Sequence, residues 1–75
     1  MFVVKYCEDY YPQALSLSAK INSHIMDTCQ IEEGGDNQFD LFLNGELFLS
    51  KQHMGKFPTI ENVERCLELL DPYSG

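Results

Sequence analysis

The chain is poor in basic residues: its 75 residues include 5 lysines and arginines against 12 aspartates and glutamates, for a formal net charge of −7. This charge repels nucleic-acid phosphates and anionic lipid headgroups, so neither nucleic acid nor a membrane is an expected partner. The sequence also lacks an apolar run of roughly 20 residues, the length that crosses a bilayer. Lys5 interrupts the N-terminal apolar segment before a signal peptide could form. We therefore expect a cytoplasmic protein.

Histidine and cysteine, the usual zinc ligands, are also few. The two histidines, His24 and His53, form no i, i+4 pair, and the three cysteines have no metal-ligand spacing, so no metal site is predicted. In the cytoplasm the thiols are expected to be reduced. We interpret Cys29 and Cys66 as core residues, because a free cysteine behaves as a small hydrophobic side chain. The alternative is that one of them resolves a disulfide at Cys7, or that the two pair together.

Length and composition indicate one small domain over residues 1–75, with 44% hydrophobic and 23% charged residues. A β-branched apolar run predicts a first strand over residues 2–7. A helix is predicted over residues 12–26, with Pro12 in its first turn. The apolar stripe of this helix recurs at three- and four-residue steps: Ala14, Leu17, Ile21 and Ile25.

The middle and the end of the chain give weaker signals. A short second strand is predicted over residues 28–31, followed by a loop over residues 32–37 in which the paired glycines would supply positive φ. A second loop covers residues 50–57. Thr59 is the predicted N-cap of a last helix that ends at Asp71-Pro72. Its apolar stripe consists of Ile60, Val63, Leu67 and Leu70.

Asn44-Gly45 between two apolar runs is the clearest local signal. It predicts a type I′ β-hairpin with strands over residues 39–43 and 46–49. Because side chains alternate along a strand, Phe42 and Phe48 are expected on the face opposite the helices, beside Val3. Such an exposed apolar patch often marks a surface for a partner or for self-association. The alternative is that the two aromatic residues only stabilise the hairpin as a cross-strand pair.

The predicted element order is β-α-β-β-β-α. The first two strands, joined by a helix, should be parallel, and the hairpin adds antiparallel strands. Both helices need a sheet face against which to bury their stripes. The sequence therefore predicts a two-layer α+β domain, with a four-stranded mixed sheet and two helices on one face.

Five short motifs follow one another along nearly the whole chain. They are Tyr6-Cys7 at the end of the first strand, Gly34-Gly35 before Phe39-Asp40-Leu41, Asn44-Gly45-Glu46-Leu47, Ser50-Lys51, and Gly55-Lys56-Phe57-Pro58. In this order and spacing the chain resembles the selenoprotein W/T/H-like (Rdx) family of thioredoxin-like proteins. The resemblance implies a thioredoxin-like sheet and a thiol or selenol redox role built on Cys-x-x-Cys or Cys-x-x-Sec.

Carried onto this chain, the resemblance makes Cys7 the first redox position. The second position falls on Tyr10, so no thiol is available there for a disulfide within the motif. This implies a monothiol role in which Cys7 forms a mixed disulfide with glutathione or a protein thiol, with glutathione as co-substrate and no other cofactor. The alternative is a non-catalytic protein-binding module that keeps the redox scaffold.

Some groups near Cys7 favour ionisation of its thiol and others oppose it. Amide groups at a helix N-terminus favour a thiolate, whereas the neighbouring Glu8 and Asp9 disfavour a further negative charge. We expect the loop before the last helix to reach the turn that carries Cys7. Tyr10, Phe57 and Pro58 would then form a shallow rim that receives a peptide or glutathione; the alternative is ordinary loop packing.

Overall fold

The structure is a computed structural model that describes residues 1–70. The predicted helix end at Asp71-Pro72 lies outside these residues. The strands are β1 (Phe2–Tyr6), β2 (Cys29–Glu33), β3 (Phe39–Leu43) and β4 (Glu46–Ser50). The α-helices are α1 (Tyr11–Lys20), α2 (Lys51–Met54) and α3 (Ile60–Leu70). A 3₁₀ turn (Glu8–Tyr10) precedes α1, and a π-helical turn (Ile21–Ile25) continues it.

The four strands form one mixed sheet in the order β2-β1-β3-β4. β1 pairs with β2 in parallel and with β3 antiparallel, and β3 pairs antiparallel with β4. The parallel arrangement predicted for the first two strands is therefore confirmed, as is the α+β class with a four-stranded sheet. β2 is longer than expected, since pairing with β1 extends it to Glu33.

One core joins the sheet to both long helices. Alternate residues of β1 are buried against the helices, because successive side chains of a strand point to opposite faces. The core comprises Phe2, Val4, Tyr6, Ala14, Leu17, Ile21, Cys29, Phe39, Leu41, Ile60 and Val63. The predicted stripe of α1 is confirmed. That of α3 is wrong at Leu70, which is 61% exposed. Burial declines along α3, so its last turn lies beyond the core.

The hairpin forms around Asn44 and Gly45, whose φ angles of 52° and 86° give the predicted primed turn. The prediction for Phe48 is wrong. Leu41 pairs with Leu49 but Phe42 pairs with Leu47, so β4 carries an extra residue between them. This bulge reverses the alternation locally and turns Phe48 onto the helical face. There its ring lies 5.9 Å from that of Phe2, edge to face.

Two predicted loops also differ from the structure. Gly34 and Gly35 do not take positive φ; in this loop Asn37 does, at 59°. A Cβ atom at Gly34 would instead collide with the side chain of Gln38, which folds back to accept a hydrogen bond from the Gly35 amide (2.8 Å). In the second loop, residues 51–54 form the short helix α2, which Gly55 ends in the left-handed conformation (φ 74°).

The start of α3 follows the predicted capping. The amide of Asn62 donates to the Thr59 hydroxyl (3.3 Å), and the amide of Thr59 donates to Asn62 Oδ1 (2.9 Å). This reciprocal arrangement satisfies free amides at the helix N-terminus, as in a capping box. It fixes the direction in which the chain leaves Phe57 and Pro58.

Candidate functional site

Cys7 lies at the carboxyl end of β1, immediately before the 3₁₀ turn. Its backbone is extended (φ −67°, ψ 143°), and the side chain is half-buried. Two hydrogen bonds fix its peptide groups: its amide donates to the carbonyl of Gln38 (2.7 Å), and its carbonyl accepts from the amide of Tyr10 (2.8 Å). The thiol is thus presented on a turn that is held from both sides.

Aromatic rings from three segments meet at this turn. The ring centroids of Tyr10 and Phe57 are 5.0 Å apart, and those of Phe57 and Phe39 are 5.1 Å apart, both edge to face. Tyr10 also reaches Phe39 at 6.4 Å. Such edge-to-face contacts stabilise aromatic pairs beyond their buried area. The structure therefore brings Tyr10 and Phe57 together; their role as a binding rim stays a prediction.

Lys51 completes this cluster; in the sequence it stood out only as part of the Ser50-Lys51 motif, with no predicted role at the site. Its Nζ lies 5.3 Å from the ring centroid of Tyr10 and 5.3 Å from that of Phe57, which is cation–π distance. Lys51 is the first residue of α2, directly after β4. The Ser50-Lys51 motif does not reveal these contacts, because both rings come from other parts of the chain. We define Tyr10, Phe39, Lys51 and Phe57 as the cation–aromatic cluster.

A groove of about 280 Å³ lies between α1 and the start of α3. Its walls combine apolar and short polar side chains with a single charged group, the ammonium of Lys20. They consist of Pro12, Gln13, Ser16, Leu17, Lys20, Phe57, Pro58, Thr59 and Ile60. Pro58 is buried, so it contributes a wall of this groove rather than an open rim. Cys7 does not line the groove. The predicted rim residues therefore belong to two features: Tyr10 to the cation–aromatic cluster, Pro58 to the groove, and Phe57 to both.

The other two thiols occupy different places. Cys29 is buried, as predicted, and pairs with Phe2 at the opposite end of β1 from Cys7. Five residues of strand separate them, roughly 16 Å, whereas bridged cysteines need Cα atoms within about 7 Å. The alternative that Cys29 resolves a disulfide at Cys7 is therefore wrong. Cys66 is half-buried in α3, and all three thiols are free.

The environment of Cys29 suppresses its ionisation. Burial raises the pKa of this thiol, the nearby Asp27 carboxylate raises it further, and the Ser18 hydroxyl opposes the shift. The backbone is held as well, because the Cys29 carbonyl accepts a hydrogen bond from Ser18 Oγ (3.2 Å) and its amide donates to Asn22 Oδ1 (3.2 Å). Cys29 is therefore a structural residue.

The charges near Cys7 are mainly acidic. Glu8 and Asp9 are exposed in the first turn after it, and Glu33 pairs with Tyr6 at the same end of the sheet. His24 and His53 are exposed, and within residues 1–70 no group of three or more potential ligands could hold a metal ion. In the same part of the chain, no helix is long and apolar enough to cross a membrane.

The open face of the sheet differs from its prediction. Phe42 lies there beside Val3, but the residue across from it on β4 is Leu47, which is 50% exposed, and not Phe48. Lys5 Nζ lies 5.6 Å from the Phe42 ring centroid, so its side chain covers part of the patch. Self-association through this face stays a prediction, with Leu47 in the place that Phe48 was expected to take.

The chain matches no family model and no curated protein. It does match solved structures. A selenoprotein W-related protein from Vibrio cholerae superposes with a TM-score of 0.80 at 18% identity, over 93% of this chain and 95% of the other. A protein from Bordetella parapertussis also has a TM-score of 0.80, at 15% identity, over 89% and 91% of the two chains. The chain therefore has the thioredoxin-like fold of selenoprotein W-related proteins, and the predicted resemblance is confirmed at the level of the fold.

Proposed function

We propose that this protein has a redox-linked monothiol role in which Cys7 forms mixed disulfides with glutathione or with protein thiols. The observation that carries the proposal is the place of Cys7 in the fold. It is a half-buried free thiol on the turn between the first strand and the first helix of a thioredoxin-like domain. Hydrogen bonds on both sides fix its backbone, so the Cα atom that carries the thiol is held in place.

The chemistry is a thiol–disulfide exchange. Cys7 gives its proton to water, and the thiolate attacks one sulfur of glutathione disulfide. The sulfur–sulfur bond of the reagent breaks, a new one forms to Cys7, and the released glutathione thiolate takes a proton from water. Position 10 holds tyrosine, so no neighbouring thiol displaces the glutathionyl group. A molecule of reduced glutathione then attacks the glutathionyl sulfur, so that glutathione disulfide forms, and the released Cys7 thiolate takes a proton from water.

Intact-protein mass spectrometry after incubation with glutathione disulfide tests the proposal. The wild-type chain should gain one glutathionyl group, peptide mapping should place it on Cys7, and reduced glutathione should remove it. Cys7→Ser should gain none. Cys66→Ser is the matched control, because it removes another half-buried thiol and should leave the reaction intact. Modification of Cys66 with Cys7 left free would contradict the proposal, as would a chain that stays unmodified.

The groove favours a second candidate function, that of a non-catalytic binding module. It has apolar walls from Pro12, Leu17 and Phe57, and Cys7 does not line it. In a cell-based complementation assay, a binding module should tolerate Cys7→Ser but lose function with Ser16→Arg, which fills the groove from an exposed position. The monothiol role predicts the opposite pattern.

A further inference from the structure

The peptide groups of Cys7 are held by neighbours of the cation–aromatic cluster. The Tyr10 amide donates to the Cys7 carbonyl, so the residue that fixes one side of Cys7 is itself a member. On the other side, the Gln38 carbonyl accepts from the Cys7 amide, and Gln38 directly precedes Phe39. A shift of the backbone at Tyr10 or Phe39 would therefore be transmitted to the backbone of Cys7.

Within this cluster, Lys51 is the one charged member. Its ammonium is equally distant, at 5.3 Å, from the rings of Tyr10 and Phe57, which stand nearly perpendicular to each other at 86°. One cation thus contacts both rings. The Tyr10 hydroxyl also donates a hydrogen bond to Asn37 Oδ1, but at 3.4 Å this bond is weak. Lys51 therefore adds a charged contact to the two edge-to-face contacts that hold the Tyr10 ring.

We propose that Lys51 is a positioning residue for Cys7: its ammonium clamps Tyr10 to Phe57, holds the 3₁₀ turn closed and limits access to the half-buried thiol. The inference rests on the proposed function for its biological meaning, since it assigns control of the reaction at Cys7. The contact between Lys51 and Tyr10 links α2, which follows β4, to the turn that follows β1. Removal of the charge loosens the turn, and Cys7 then reacts faster with small reagents.

The test measures alkylation of all three cysteines by iodoacetamide, resolved by peptide mass spectrometry. Lys51→Met keeps an unbranched side chain of nearly the same length but removes the charge. It should speed Cys7 alkylation roughly fivefold, the factor that corresponds to the typical combined strength of exposed cation–π contacts from one ammonium. Lys51→Arg keeps a cation over the rings and should restore the wild-type rate. Lys56→Met makes the same change at an exposed lysine five residues later and should have no effect.

The other two thiols separate a local effect from a global one. A clamp predicts that only Cys7 accelerates, while Cys66 and buried Cys29 keep their rates. A change that merely destabilises the fold would accelerate all three together, and this result would overturn the inference. An unchanged Cys7 rate in Lys51→Met, or a failure of Lys51→Arg to restore it, would do the same.

A double variant tests whether Lys51 acts on Cys7 through the ring of Phe57. Lys51→Met should have little further effect on Cys7 in a Phe57→Leu background, because one of the clamped rings is already gone. Full additivity would contradict the clamp. Iodoacetamide reports access to the thiol and needs no disulfide chemistry. If Cys7 is inert to glutathione disulfide but its alkylation still responds to Lys51, the proposed function fails and the positioning role stands.

Discussion

The two ends of β1 hold cysteines in contrasting environments. At the carboxyl end, Cys7 is half-buried on a turn, and its amide and carbonyl bond to backbone groups of Gln38 and Tyr10. At the amino end, Cys29 of the neighbouring strand is buried beside Phe2, with its amide and carbonyl bonded to side chains of Asn22 and Ser18. In this chain the carboxyl end of β1 is thus partly open to solvent, whereas its amino end is buried.

The difference shows why residue type alone does not assign chemistry. A thiol reacts as the thiolate, which needs both exposure and a surrounding that tolerates negative charge. Burial raises the pKa of Cys29 and denies it both conditions. Cys7 is partly exposed, but the nearby carboxylates of Glu8 and Asp9 oppose a negative charge on its sulfur. The end of the sheet at which each cysteine lies therefore distinguishes a structural thiol, Cys29, from a candidate reactive thiol, Cys7.

The largest expected contrast is in stability. Cys29→Asp should lower the free energy of unfolding by about 3 kcal/mol, because burial removes the hydration that stabilises the charged carboxylate. Cys7→Asp should change it by less than about 1 kcal/mol, because aspartate is accepted at the start of a helical turn and stays partly hydrated. Urea denaturation of the two variants makes the measurement.

Cys29→Ala is the control for the first variant, because it removes the thiol without introducing charge. It should cost much less than Cys29→Asp. Equal losses for the two aspartate variants would mean that the environments of Cys7 and Cys29 do not differ, and the contrast between the strand ends would be lost.

The second contrast is in reactivity. In the folded protein, Cys7 should alkylate on the order of 100-fold faster than Cys29, because Cys29 requires a local opening of roughly 3 kcal/mol. Iodoacetamide labelling at constant pH, followed by peptide mass spectrometry, gives both rates from one sample. In urea above the unfolding transition, the two rates should converge. Equal rates in the native protein would assign Cys7 to the same protected class as Cys29.

Local signals predicted the parts of this structure that local chemistry determines. Asn44-Gly45 adopts positive φ at both residues, which side chains other than these rarely tolerate, and Thr59 caps α3 with its own hydroxyl. The position of Cys7 between strand and helix was also evident, since it depends only on where β1 ends. In each case the determining contacts lie within a few residues along the chain.

The features that were missed depend on contacts between distant segments. The bulge in β4 places Phe48 on Phe2, and strict alternation could not reveal it, because an extra residue is favoured only when the partner strand and the core are present. Lys51 meets Tyr10 and Phe57 only after the sheet has brought three elements to one end. Its role in the candidate site therefore follows from topology rather than from any motif.

The smallest expected contrast is in the pH dependence of stability. Because burial raises the pKa of Cys29 above its unfolded value, its contribution is fully present below the unfolded pKa of roughly 8.5. It is lost as the pH rises through the folded value, since the unfolded chain gives up the proton first. The free energy of unfolding should therefore fall more steeply from neutral to alkaline pH in the wild type than in Cys29→Ala. Both proteins keep Cys7, Cys66 and all the tyrosines, so the difference isolates Cys29. If the free energies of unfolding of the two proteins fell in parallel with pH, the Cys29 thiol would titrate alike in the folded and unfolded states. Its burial would then carry no electrostatic cost.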